Sequence, residues 1–198
     1  MCDEYLNLPI EITRTIGEIP FTEKIKEVYS KMKKKISYVY LITLFLFLIF
    51  YIGIFLAPYL YDKNRFLSLL IYDIYSQICH QMPERSYYIF NHKMGVCARC
   101  FGIYTGVLLG MLIYPFIRRL DNFKTPNKWY LILALTPMGI DGTTQLLGLR
   151  ESFNELRFIT GFIAGFVALF YILPVFLGVI NKEKVFIEMK LTSHQKSK

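Results

Sequence analysis

From Tyr38 to Leu60 the chain runs without a single charged residue. At about 1.5 Å of rise per residue, a helix of that length crosses the ~30 Å hydrocarbon layer of a bilayer. Inside lipid every backbone N–H and C=O must find a partner within the protein, which leaves helices and closed barrels as the only spanning structures. The tyrosines at both ends, Tyr38, Tyr40 and Tyr59, suit the two membrane interfaces. Composition points the same way: 54% of the 198 residues are apolar, more than a soluble domain of this size needs for its core. The fold class expected is all-α, an integral membrane bundle. No secretory signal peptide is expected, because the first 37 residues hold no apolar core followed by a small-residue cleavage site.

Three further stretches have the length of a span: about 97–117, 129–149 and 158–180. Pro137, Asp141 and Gln145 interrupt the second of these and Pro174 the third, which spanning helices tolerate where neighbours re-satisfy the freed carbonyls. The segment 66–78 is apolar but too short to cross and carries Asp73. It reads as a helix lying at the interface, followed by an outer loop over 79–96. A four-span membrane domain over 38–180 is therefore expected, between a basic tail over 1–37 and another over 181–198.

The basic residues orient it. Of the 23 Lys and Arg, 16 lie in the two tails and in the Arg118–Lys128 connection, with Lys31, Lys33, Lys34 and Lys35 directly before the first span. The positive-inside rule then places both termini in the cytoplasm of a multi-pass cell-membrane protein. The net charge of +8 is accounted for by topology and attraction to anionic lipids, so the bilayer is the expected partner and nucleic acid is not. Phe21, Ile25, Val28, Tyr29, Met32 and Ile36 recur at helical spacing among lysines and read as an amphipathic helix on the inner leaflet.

Small residues say which helices touch. Ala98, Gly102, Gly106 and Gly110 repeat every four residues, and Gly161, Gly165 and Ala168 do much the same on the last span. Such stripes let helix backbones approach closely in lipid, so these two spans are expected partners.

Chemistry concentrates on the outer face. Cys79, His80, Cys97 and Cys100 fall within a short stretch, and soft sulfur and imidazole ligands so close together point to a metal site, zinc or another transition-metal ion, or to a thiol redox site. Cys97 and Cys100 share one helix face with Tyr104, and at the start of a helix next to Arg99 their thiolates are favoured. The C-x-x-C half suits a tetrahedral ion. Adjacent side chains such as Cys79 and His80 converge on one ion only with a sharp turn, which Pro83 supports, and His92 is a substitute for His80. On the third span Asp141 and Gln145 lie one turn apart, and an acid within an apolar helix is by default a functional hypothesis. Beyond it, Arg150, Glu151, Ser152, Asn154 and Arg157 make an outer turn dense in polar groups.

Four strings combine these residues: C-H-Q-x-P-x-R-S at Cys79–Ser86, V-C-A-R-C-x-G-I-Y at Val96–Tyr104, D-G-x-x-Q at Asp141–Gln145 and L-R-E-S at Leu149–Ser152. Together they resemble a family of small predicted multi-pass membrane proteins catalogued as a domain of unknown function, over about residues 66–178. The resemblance implies membership and multi-pass topology, and brings no activity, substrate or ligand with it.

Function is then read from the chemistry in three ways. The first is metal binding through Cys79, His80, Cys97 and Cys100. The second is thiol–disulfide exchange between a Cys97–Cys100 pair and Cys79, as in four-helix membrane oxidoreductases with a C-x-x-C at an outer helix end, a fold-level analogy. A purely structural disulfide, Cys97–Cys100 or Cys79–Cys97, is the plain alternative on an oxidising face. The third is a small-ligand carrier or channel with Asp141, Gln145 and Arg157 lining a polar cavity, against the plainer reading of an Asp141 ion pair to Arg150 or Arg157. A c-type haem is excluded because Phe101, and not histidine, follows Cys100. No nucleotide loop, Ser-His-Asp set or H-E-x-x-H helix is present in the sequence.

Overall fold

The computed structural model describes residues 19–180, with the side chains of 19–29 and of Met32 left aside. Among them are five α-helices: α1 (Ile19–Leu60), α2 (Arg65–Ser76), α3 (Ala98–Ile117), α4 (Lys128–Leu146) and α5 (Asn154–Ile180). Between α2 and α3 lie a 3-10 turn at Pro83–Arg85 and a two-stranded hairpin, β1 (Tyr88–Ile89) and β2 (His92–Lys93). The hairpin pairs Tyr88 with Lys93 and Ile89 with His92. Its two turn residues, Phe90 and Asn91, both have positive φ, the requirement of the turn that matches strand twist.

Among the described residues, three helices are long and apolar enough to cross a membrane: Lys33–Leu60, Ala98–Ile117 and Asn154–Ile180. The α4 helix is not among them, since Thr136, Asp141, Thr143, Thr144 and Gln145 dilute its apolar stretch. Large apolar side chains such as Phe45, Leu46, Ile49, Leu112, Phe116, Leu133, Ile172 and Val175 face outward, which is unfavourable in water and ordinary against lipid tails.

The amphipathic stretch expected ahead of the first span is not a separate helix. It runs into that span as one helix from Ile19, because after Pro20 no glycine or proline interrupts the chain until Gly53. The basic tail over 181–198 and residues 1–18 of the tail over 1–37, Cys2 included, lie outside the described residues. The 66–78 segment is the short helix α2, capped by Asn64, whose side chain accepts from the Leu67 N–H at 3.1 Å. Ser68 ties it to α1 by donating to the Ala57 carbonyl at 2.7 Å.

The tightest contact is between α3 and α5, and it is made by glycines. A Cβ on Gly102 would strike the Phe158 carbonyl, one on Gly106 the Phe162 carbonyl, and ones on Gly161 and Gly165 the carbonyls of Arg99 and Ile103. Residue numbers rise together along the seam, so the two helices run parallel and both open at the same end of the bundle. Two apolar clusters flank it. One comprises Ile36, Tyr40, Met111, Tyr114, Leu169, Leu173 and Leu177; the other, at the end where α3 and α5 begin, comprises Ile54, Tyr75, Cys79, Met94 and Val96, with Cys97, Cys100 and Tyr104 packed against it.

Candidate metal centre

Three cysteines meet at that end. Cys79 lies just past α2, where its N–H donates to the Tyr75 carbonyl at 2.9 Å, and its side chain is buried. Cys97 is the residue that caps α3, and Cys100 follows in the first turn. Their three Sγ atoms all lie within 4.8 Å of one another, and all three are free thiols. The spacing i, i+3 aligns Cys97 and Cys100 on one helix face, and the fold of 79–96 over the bundle end delivers Cys79 to the same point. The hairpin and loop are pinned for this: the Gly95 N–H donates to the Ile54 carbonyl at 3.3 Å, and the Met94 N–H to the Tyr87 carbonyl at 2.8 Å.

The electrostatics favour a sulfur anion at Cys97. The Cys97 side chain makes no capping bond, while its N–H donates to Cys79 Sγ at 3.2 Å. The Cys97 thiol is held well below the ordinary thiol range, first by the hydrogen bond from Cys100, then by that from Cys79, and further by the backbone N–H groups of Cys100 and Arg99. The unpaired amides of the helix start act in the same direction. Three thiolates this close repel strongly, and a cation between them removes the repulsion. At a zinc–sulfur bond of about 2.3 Å, sulfurs around a tetrahedral ion sit about 3.8 Å apart, a distance the trio reaches by small side-chain movement.

The fourth expected ligand does not join them. His80 is exposed, and no histidine or carboxylate completes the sulfur cluster among the described residues. Consecutive residues leave the backbone in different directions, so burying Cys79 turns its neighbour outward. His92 is no substitute: its Nε2 lies 3.0 Å from both carboxylate oxygens of Asp62, and its ring packs on Tyr61. Among the described residues the set is three sulfurs.

The polar group on α4 lies at the same end. Asp141 is 2% exposed; Arg99 Nη2 donates to its Oδ2, and Arg150 Nη2 to its Oδ1 at 2.8 Å. Arg150 comes back to Asp141 because α4 ends on Gly148 at φ +69. There the Gly148 N–H reaches the Gln145 carbonyl and the Leu149 N–H the Thr144 carbonyl, the paired bonds of a left-handed helix stop. Arg157 instead turns to Asn154 Oδ1 at 2.9 Å. Gln145 is half-buried and Glu151 exposed, and neither belongs to the ion pairs at Asp141. Arg99 was named above only as a charge beside the thiols; its reach across to α4 is not written in the spacing, though its place inside C-A-R-C marks it.

Residues 79–171 match the model of a family described as "Predicted membrane protein (DUF2085)". The chain is 67% identical over 150 residues to "Uncharacterized protein MJ1492" of Methanocaldococcus jannaschii, an alignment covering 73% of this chain and 96% of that protein. The chain belongs to this family. A second relative, "Uncharacterized protein" of Methanothermobacter thermautotrophicus, is 43% identical over 88 residues, 44% of this chain and 78% of that protein. No solved structure matches. The matched region spans Cys79, Cys97, Cys100, Asp141 and Arg157, and it makes this a membrane protein.

Proposed function

We propose that this member of the family is a metal-binding membrane protein whose ion is held by Cys79, Cys97 and Cys100 at the outer face of a four-span bundle with both termini in the cytoplasm. The observation that carries the metal reading is the convergence of three Sγ atoms within 4.8 Å, drawn from two segments 18 residues apart. An all-sulfur set selects soft and borderline ions, zinc and Cu(I) foremost. Three protein ligands with one open position is the pattern of a site that takes water or substrate as its fourth ligand. The topology rests on the excess of basic residues at the opposite end and on α4 crossing as the fourth span, its one buried acid neutralised by two arginines. That same pairing fits Asp141 to a tie between α3, α4 and the turn after it better than to a carrier's ligand.

Reduced, metal-free protein titrated with Co(II) tests the reading. One equivalent should bind and give an intense thiolate-to-metal charge-transfer band, absent from Cys97→Ser. Absence of the band from the reduced wild-type protein would sink it. The lowered Cys97 thiol also favours a second reading, thiol–disulfide exchange with Cys79 or Cys100. Alkylation trapping in cells separates the two, since exchange requires a disulfide fraction that a metal-loaded trio lacks.

A further inference from the structure

Beside the sulfur trio, positive charge exceeds what the described residues neutralise. Four arginines gather there: Arg85 on the 3-10 turn, half-buried; Arg99 on α3; Arg150 after α4; and Arg157 on the first turn of α5. Arg85 and Arg99 both lie near enough to Arg157 for their charges to oppose its own, and Cys97 and Asp141 are the negative groups within the same reach. The carboxylate of Asp141 is divided between Arg99 and Arg150. Arg157 is 5% exposed, yet its side-chain partner is the neutral Asn154, and its Nε is buried without a partner, as is the Nε of Arg99. The exposed acids Glu84, Glu151 and Glu155 form no ion pair with any of the four among the described residues.

A buried guanidinium with no ion pair of its own is unfavourable, and native structures relieve it with an anion. A filled metal centre does not provide enough negative charge. Three thiolates around a dication carry one negative charge and Asp141 another, leaving two of the four arginine charges over. The N-termini of α3 and α5, parallel and opening here, add their partial positive charge. Guanidinium forks match the paired oxygens of a tetrahedral oxyanion.

We propose that Arg85, Arg99 and Arg157 form a binding site for a phosphate-class oxyanion beside the sulfur trio. The phosphate belongs either to a lipid headgroup or to a free anion. Arg157 is the central ligand, Arg85 closes the site from the 3-10 turn, and Arg99 contributes its Nε edge while its Nη2 stays on Asp141. This site stands without the metal, because the partnerless buried Nε atoms of Arg99 and Arg157 belong to the protein alone.

The test uses the full chain, purified in a neutral detergent and stripped of metal, with inorganic phosphate as the probe in calorimetric titration. Saturable binding is expected. Arg157→Gln and, separately, the less buried Arg85→Gln should each weaken it about tenfold or more, and Lys63→Gln should leave it unchanged. Repeating the titration in nanodiscs of an anionic phospholipid identifies the source. Loss of phosphate binding there means the headgroup holds the site, and retained binding means a free anion does; either supports it. Equal binding by wild type and both arginine variants overturns the proposal, as does an absence of phosphate binding in detergent together with equal retention of co-purified phospholipid by wild type and Arg157→Gln.

Discussion

Replacing Gly106 with alanine probes the seam that positions the groups at the end of the bundle where α3 and α5 begin. The added Cβ would press on the Phe162 carbonyl, 3.1 Å from its carbon and 2.8 Å from the Phe166 nitrogen, where comfortable contacts of this kind are about 3.5 Å or more. Those atoms are backbone, so no side-chain rotation relieves the clash, and α3 and α5 must separate by roughly 0.5–1 Å. A gap of that size forfeits about a quarter to a half of the dispersion energy at each contact along the seam, and overpacking of this kind costs about 1–3 kcal/mol. Gly139 on α4 is the internal control: a Cβ there meets nothing within 4 Å. Gly139→Ala should therefore be neutral or stabilising by up to about 1 kcal/mol, through reduced backbone freedom in the unfolded chain. Unfolding both variants by SDS titration in mixed micelles should show Gly106→Ala less stable than Gly139→Ala by about 1–4 kcal/mol. Equal stability of the two would refute the close α3–α5 seam. Because α3 opens on Cys97, the destabilised variant should also bind metal more weakly.

Other outcomes follow from individual contacts. Asp141→Asn removes the charge that two guanidinium groups share; with Arg99 and Arg150 partly exposed, the loss is about 1–3 kcal/mol, discounted from the cost of breaking a fully buried pair. A double-mutant cycle with Arg150→Gln should reveal that coupling, and additive losses would refute the pair. Gly148→Ala, forced to keep φ +69, should cost about 1–2 kcal/mol with Gly148→Asn closer to wild type, both read from the same titration. At pH 6 an ordinary thiol is protonated, but the lowered Cys97 thiol is not. In metal-free protein, peptide mass spectrometry should find Cys97 alkylated ahead of the buried Cys79; equal rates would contradict the lowered value.

Several of these features are legible from residue spacing, and others arise only from three-dimensional proximity. Glycines every fourth residue on two segments point to the α3–α5 contact, because a helix turns every 3.6 residues and small side chains then form one stripe. Cys97 and Cys100 are visible for the same reason. The position of Cys79 depends on how a loop with a 3-10 turn folds over the bundle, and spacing does not distinguish it from its neighbour His80, which faces outward. The hairpin at Tyr88–Lys93 escapes notice since each strand has two residues and Phe90 is an unusual residue at positive φ. Asp141 stands out as an acid in an apolar helix, and Arg150 follows it closely enough to be named. Arg99 sits 42 residues away, and only the α3–α4 proximity makes it a partner. The polar residues that dilute α4 make it the least apolar of the expected spans, while Arg99 and Arg150 neutralise the charge responsible for much of that.

The proposal that three sulfurs, without a histidine, hold a metal ion is tested by counting bound zinc per chain in protein purified under reducing, zinc-replete conditions, for wild type and for Cys79→Ser, Cys97→Ser, Cys100→Ser and His80→Ala. About one ion per chain is expected in wild type and His80→Ala, falling well below that in each cysteine variant. A wild-type protein that carries no metal while its three thiols remain reduced would contradict the account, as would a cysteine variant that keeps the full complement.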